Sequence, residues 1–223
     1  MFDADDTLWD SQVHFFAAFD EFVAACAAAE CTLEREVIRQ AVFRAELQLI
    51  ESIGYGRRPY VSALRLAAEE LAAREKLESL YAEIELIGCR LIDCNCELLP
   101  GVAETLPELA ERHTLLMFTK GQRDEQLEKL RRSGLEPLFT RVETPREKDL
   151  DAYLRLVRDA ELEPGRTWMI GNSPRSDINP AVRAGLGAIY IPYPNTWEHE
   201  NEELSAHERL VELDGFRRLL ELF

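Results

Sequence analysis

Three carboxylates crowd the first six residues of the sequence: Asp3, Asp5 and Asp6 in MFDADDTLWD. Three later stretches carry groups of complementary type. FTKG holds the Thr119 hydroxyl and the Lys120 amine, PREKD holds Lys148, and IGNSPRSD holds Asn172 and Asp177. Carboxylates that converge on one spot cannot all stay ionised without a cation. A divalent metal resolves that repulsion, and oxygen ligands with no histidine or thiolate beside them favour magnesium. A magnesium ion, a lysine and a hydroxyl together make a pocket for a phosphate group. One carboxylate can then attack phosphorus. A second, two residues along, can protonate the leaving oxygen and later activate water.

Such chemistry requires elements that bring the four stretches together. From Ser11 to about Arg90 the apolar residues recur at helical spacing, broken mainly by IGYGRRPY, and no strand is expected there. After LLPGV the texture changes. The segments TLLMFT, LFTRVET, TWMIGNS and GAIYIPYP read as short strands alternating with helices, the pattern of a parallel sheet with right-handed crossovers. HERLVELDGFRRLLELF reads as a closing amphipathic helix. The expected fold is α/β: a doubly wound parallel sheet, residues 1–12 and 92–223, carrying an inserted all-helical domain over residues 13–91. Ligands of such sheets bind beyond the carboxyl ends of the strands, and each candidate stretch lies at a predicted strand end.

Composition bounds the partners. A formal net charge of -16 over 223 residues lacks the basic footprint of nucleic-acid or anionic-membrane binding, yet permits an anionic substrate at a locally positive or metal-loaded site. No apolar run is long enough to span a bilayer, and no signal peptide precedes the first acids. Five cysteines without framework spacing suit free thiols in a reducing, cytoplasmic setting. The Cys94-x-Cys96 pair lacks further metal ligands nearby and reads as inert thiols. A monomer or homodimer acting on a small metabolite is expected.

The motifs in register resemble those of the haloacid dehalogenase-like hydrolases, most of which are phosphatases. Asp3-Ala4-Asp5-Asp6-Thr7-Leu8 is similar to the family's first motif, Thr119 after LLMF to its second, Lys148 to its third, and Gly171-Asn172 with Asp177 to its fourth. The inserted helices resemble the family's C1-type cap. The resemblance implies a Rossmann-like core and a magnesium cofactor held by Asp3, the Asp5 backbone carbonyl, Asn172 and Asp177. It implies Asp3 as nucleophile, Asp5 as general acid/base, and Thr119 and Lys148 as binders of the transferring phosphoryl group, with Lys120 a further candidate for substrate phosphate. An acid at Asp5 suits ester cleavage, whose leaving group needs a proton. The reading is therefore a phosphatase acting on a sugar phosphate or nucleotide monophosphate through an aspartyl-phosphate. A phosphomutase and a non-catalytic phosphometabolite or partner binder are the alternatives.

Two features depart from the family pattern. Asn172 stands where an acid is commoner and adds no charge. Only Met1 and Phe2 precede Asp3, whereas a central strand spans about five or six residues; unpaired backbone in the sheet, and a natural start farther upstream, are expected. Blander readings stand beside the sharp ones. Asp177 can cap a helix, Arg146 and Lys120 compete with Lys148, Lys120 can simply be solvated, and Trp9 can be core or hinge packing. Arg57 and Arg58 either reach toward substrate or form a basic turn. EHENEEL reads as a solvated helix start.

Overall fold

The computed structural model describes every residue except Thr32 and Cys96, so one half of the C-x-C pair lies outside the described residues. The chain divides into two compact units, Met1–Gln12 with Cys96–Phe223, and Val13–Asn95.

The first unit is built on parallel strands: β1 (Leu115–Phe118), β2 (Phe139–Glu143), β3 (Trp168–Gly171), β4 (Gly187–Tyr190) and β5 (Leu210–Glu212). β1 pairs with β2, β3 with β4, and β4 with β5, all parallel. The opening residues join these two groups, because Phe2 bridges Met117 on one side and Ile170 on the other. Short as it is, this segment is well paired. The Phe2 N–H donates to the Leu116 carbonyl at 2.8 Å and the Phe118 N–H to the Phe2 carbonyl at 2.8 Å, while the Asp3 N–H donates to Ile170 and the Ile170 N–H to Met1, both at 2.9 Å. Counting the opening segment as the first strand, the spatial order becomes 3-2-1-4-5-6, the doubly wound arrangement whose ligand crevice lies where strands 1 and 4 meet.

Side chains alternate across this sheet with period two. Phe2, Leu115, Met117, Ile170 and Ile189 pack on one face with Val102, Leu106 and Leu109 of α5 (Val102–Arg112) and Leu130 of α6 (Arg123–Arg132). Met1, Leu116, Phe118, Met169 and Ala188 pack on the other with Tyr153 and Leu156 of α7 (Leu150–Asp159) and Ala181 and Val182 of α8 (Asn179–Arg183). Helices thus cover both faces, which is why the strands read as continuous apolar runs.

The chain end differs from the sequence expectation. In place of one amphipathic helix, Leu210–Glu212 forms β5 and Phe216–Glu221 a short 3-10 segment. The β4 edge supplies the reason: the Ala188 N–H donates to Arg209 and the Leu213 N–H to Tyr190, both at 2.9 Å. Gly215 then separates the strand from Phe216 and Leu219, which are buried.

The second unit is helical among the described residues, with α1 (Gln12–Ala28), α2 (Arg35–Ile53), α3 (Arg57–Leu71) and α4 (Leu77–Asp93) around Phe22, Ile38, Leu64 and Ile84. Arg57 is buried in this unit, and its Nη1 donates to the Ile92 carbonyl at 3.1 Å and the Cys94 carbonyl at 3.4 Å. It ties the start of α3 to the end of α4, whereas Arg58 is exposed. Cys94 directs its thiol to the Leu91 carbonyl. Among the described residues no helix is long and apolar enough to cross a membrane.

Candidate active site

The crevice predicted by the strand order is where the candidate residues collect. Asp3 ends the opening strand and Asn172 follows β3, so the backbone pairing of these neighbours sets their side chains close together. Asp177 lies on the turn Pro174–Ile178, which folds back so that its Oδ2 accepts from the Ser173 N–H at 2.9 Å. Gly171 makes room for this: a methyl group there would collide with the Asp177 carboxylate. The Ser173 side chain caps the turn by accepting from the Ser176 N–H, so capping falls to Ser173 and leaves Asp177 free to face inward. Tyr153 supports the turn from α7, its hydroxyl within reach of the Ser176 carbonyl at 3.0 Å.

Lys148 joins the two acids. Its ammonium, 1% exposed at the side chain, sits 2.5 Å from Asp3 Oδ1, contacts Asp177 Oδ1, and donates to the Phe118 carbonyl at 3.0 Å. Arg146, its competitor in sequence, is exposed. Thr7 links the remaining pieces, lying 3.3 Å from Asp3 Oδ2 and donating to Asn172 Oδ1 at 3.1 Å. Thr119 is buried immediately after β1, and its hydroxyl faces the Lys120 carbonyl at 3.3 Å without bonding to Asp3, Lys148 or Asp177. The third acid of the opening motif has a local task. Asp6 adopts a left-handed backbone (φ 62°), and its Oδ1 accepts from the Ser11 and Gln12 N–H groups at 2.8 and 2.9 Å, anchoring the turn into α1.

The electrostatics follow from burial. Loss of water pushes the Asp3 carboxyl upward, Asp177 adds repulsion, and Lys148 opposes both. Burial likewise raises Asp177 against the pull of Lys148. For Lys148 burial acts against its charge, but the two carboxylates outweigh it and hold its pKa above the ordinary lysine value. The trio carries one more negative charge than positive. Among the described residues no third acid completes a three-carboxylate metal group; the donors brought together are the Asp3 and Asp177 carboxylates and Asn172 Oδ1, and the Asp5 carbonyl is the further donor the family resemblance implies. This hard, oxygen-only set with residual negative charge fits magnesium in kind.

Asp5 is held apart from this trio. Its Oδ1 accepts from the Trp9 indole N–H at 2.7 Å, its Oδ2 from Gln126 Nε2 at 2.8 Å, and both oxygens lie 2.9 Å from Lys129 Nζ. Burial alone would raise Asp5, but the Lys129 charge and the hydrogen bonds from Gln126, Lys129 and Trp9 win and hold its carboxyl well below the usual carboxylate range. The sequence reading missed Gln126 and Lys129, because RDEQLEKLRR reads as a solvated charged helix. The available signal was their three-residue spacing on the face that also carries Leu130.

Lys120 is neither solvated nor bare. It sits 2.5 Å from Glu200 Oε1, each side chain 12% exposed, and Glu200 Oε2 accepts from Ser173 Oγ at 2.5 Å and Ser176 Oγ at 2.6 Å. Glu200 belongs to EHENEEL, so that stretch is no solvated helix start: it forms a short 3-10 turn, Glu198–Glu200, that inserts a carboxylate between the β1 and β3 loops. Burial opposes its ionisation, but Lys120 and the two hydroxyls hold it at about 2, below the ordinary glutamate value of 4.5. The stabilisation from a carboxylate with a depressed pKa is complete above the unfolded value and is lost as pH falls toward the folded one. Glu200→Gln is therefore expected to destabilise the α/β unit by about 2 kcal/mol near neutral pH, because the amide loses the charge that Lys120, Ser173 and Ser176 bind. The difference from the parent should shrink between pH 4.5 and 2. Thermal denaturation across that range checks this, and a gap that stays constant would contradict it.

The chain matches the family model described as a hydrolase, haloacid dehalogenase-like, over residues 1–185. Comparison with curated proteins finds no match. Among solved structures, a haloacid dehalogenase-like family hydrolase from Xanthomonas campestris is 29% identical with a TM-score of 0.80, covering 96% of this chain and 84% of that one. The candidate HAD hydrolase YfnB from Bacillus subtilis, in a magnesium-bound form, is 19% identical with a TM-score of 0.65 over 99% of this chain and 94% of that one. A 2-haloacid dehalogenase from Pseudomonas syringae pv. Tomato DC3000 is 24% identical with a TM-score of 0.62 over 99% and 95%. Phosphatase and phosphoglucomutase descriptions also occur among the neighbours. The fold, the crevice and the family match lead to one conclusion: the chain belongs to the haloacid dehalogenase-like hydrolases.

Proposed function

We propose that this enzyme is a magnesium-dependent phosphatase that hydrolyses a small phosphate monoester through an aspartyl-phosphate on Asp3. The observation that carries the reading is the buried trio of Asp3, Lys148 and Asp177, with an acid retained at Asp5. Asp3 Oδ attacks phosphorus as the bond to the leaving oxygen breaks. Asp5 gives that oxygen a proton, then takes one from the water that attacks the phosphoryl group and regenerates the Asp3 carboxylate. Lys148 holds the Asp3 side chain and its charge compensates the incoming phosphate, and Thr119 is the proposed second binder of the phosphoryl oxygens. Magnesium, held by Asp3, Asp177, Asn172 and the Asp5 carbonyl, would neutralise phosphoryl charge. In the resting arrangement Asp5 is ionised and set for the base half of the cycle. An anionic phosphate brought beside it opposes Lys129 and raises its proton affinity for the acid half.

A sugar phosphate or nucleotide monophosphate is the proposed substrate class, and the reading places the enzyme in a reducing, cytoplasmic setting, in keeping with the free thiols of Cys26, Cys31, Cys89 and Cys94. A phosphomutase would use the same trio but return the phosphate to its product. The test is release of inorganic phosphate from p-nitrophenyl phosphate with magnesium and with a chelator. Turnover that needs magnesium is expected; turnover unchanged by the chelator would overturn the metal assignment, and phosphate retained on product would favour the mutase.

A further inference from the structure

We infer that Lys129 and Gln126 are positioning residues for the acid/base step, holding the Asp5 carboxylate in one orientation and tying it to the loop that follows β1. The inference rests on the assignment of Asp5 as the acid/base group. Gln126 and Lys129 are three residues apart on α6 and so share one face. They are 1% and 3% exposed on a helix otherwise rich in solvated charge. A buried lysine is costly unless paired, and Lys129 finds its partners in Asp5 and, at 3.3 Å, Glu125. Gln126 Nε2 donates both to Asp5 Oδ2 and to the Lys120 carbonyl at 2.9 Å. Its Oε1 is buried without a hydrogen-bond partner among the described residues. Gly121 admits this close approach. Its φ is +115°, and a Cβ there would lie 2.8 Å from Gln126 Nε2.

The donor geometry suits a group that must exchange a proton. Trp9 binds Oδ1 and Gln126 binds Oδ2, which fixes the plane of the carboxylate, while Lys129 is shared between the two oxygens. A shared ammonium can settle on one oxygen and free the other for the leaving group or water. The Asp5 side chain retains 30% exposure. Gln126 also links the opening motif to the Lys120 carbonyl, so α6 ties the acid/base group to the loop that follows β1.

The test compares kcat/KM for two esters in magnesium: p-nitrophenyl phosphate, whose phenolate leaves without a proton, and benzyl phosphate, whose alkoxide requires one. Asp5→Asn is expected to lose about 10²-fold or more on benzyl phosphate, the scale of general acid catalysis, and far less on p-nitrophenyl phosphate. Gln126→Met, which leaves the charge beside Asp5 unchanged, should show the same selective loss, on the order of tenfold, with no further loss in the double variant. Lys129→Arg, which keeps the charge and changes the geometry, provides a second variant should Gln126→Met fail to fold. Equal losses on both esters, or losses that multiply with those of Asp5→Asn, would overturn the positioning role. An Asp5→Asn protein with unchanged kcat/KM on both esters would instead overturn the acid/base assignment beneath it.

Discussion

Lys148→Met is expected to lower the stability of the α/β unit by about 3–5 kcal/mol, because removing one partner of a buried ion cluster leaves uncompensated charge in the core. Lys148 is the shared counter-ion of Asp3 and Asp177, and all three side chains are at most 10% exposed. Without it, two carboxylates face each other in a medium that strengthens their repulsion. For a chain of this size the melting temperature should fall by roughly 10 °C. The pH dependence has a definite sign. Burial already raises both carboxyls above the ordinary value of 3.8, and losing the lysine raises them further. An acid with a raised folded pKa contributes its stability below the unfolded value and loses it as pH rises through the folded one. The variant should therefore be more stable in mild acid than near neutrality, with the gap to the parent protein widest at high pH. Denaturant unfolding across that range checks the expectation, and a variant as stable as the parent at neutral pH would show that Lys148 is dispensable to the cluster.

Asp3→Asn should have the opposite balance: little cost in stability and nearly complete loss of turnover. The amide keeps the shape of the carboxylate and removes a charge that burial disfavours, and Lys148 keeps Asp177 and the Phe118 carbonyl as partners. The melting temperature should hold or rise at neutral pH. Turnover should fall on the order of 10⁴-fold or more, the scale seen when a nucleophile is removed. A fold preserved by circular dichroism alongside lost phosphate release separates chemistry from misfolding. Retained turnover would remove Asp3 from the reaction.

Much of the fold could be read from residue order. The alternation of apolar runs with helical segments gave β1 to β4 because strands covered on both faces need no polar alternation. Asp3, Lys148 and Asp177 were legible as a group since each ends or follows such a run. The parts that escaped were set by contacts between distant segments. Leu210–Glu212 carries helix-compatible residues, yet the open edge of β4 draws it into the sheet. Glu200 sits in a stretch whose composition suggests water, and only the ammonium of Lys120 and the Ser173 and Ser176 hydroxyls explain its burial. Lys129 and Gln126 look like surface residues of a charged helix until the Asp5 carboxylate is placed beside them. Local pattern records propensity and burial, whereas the pairing of buried charges is decided across the fold.

Whether Asp3 carries the phosphoryl group can be read by quenching the enzyme with acid during turnover of p-nitrophenyl phosphate in magnesium and locating any phosphoryl group by peptide mass spectrometry. One phosphoryl adduct is expected on the peptide carrying Asp3, absent from Asp3→Asn. Turnover with no adduct at any time point, or with the adduct on another residue, would contradict the assignment of Asp3.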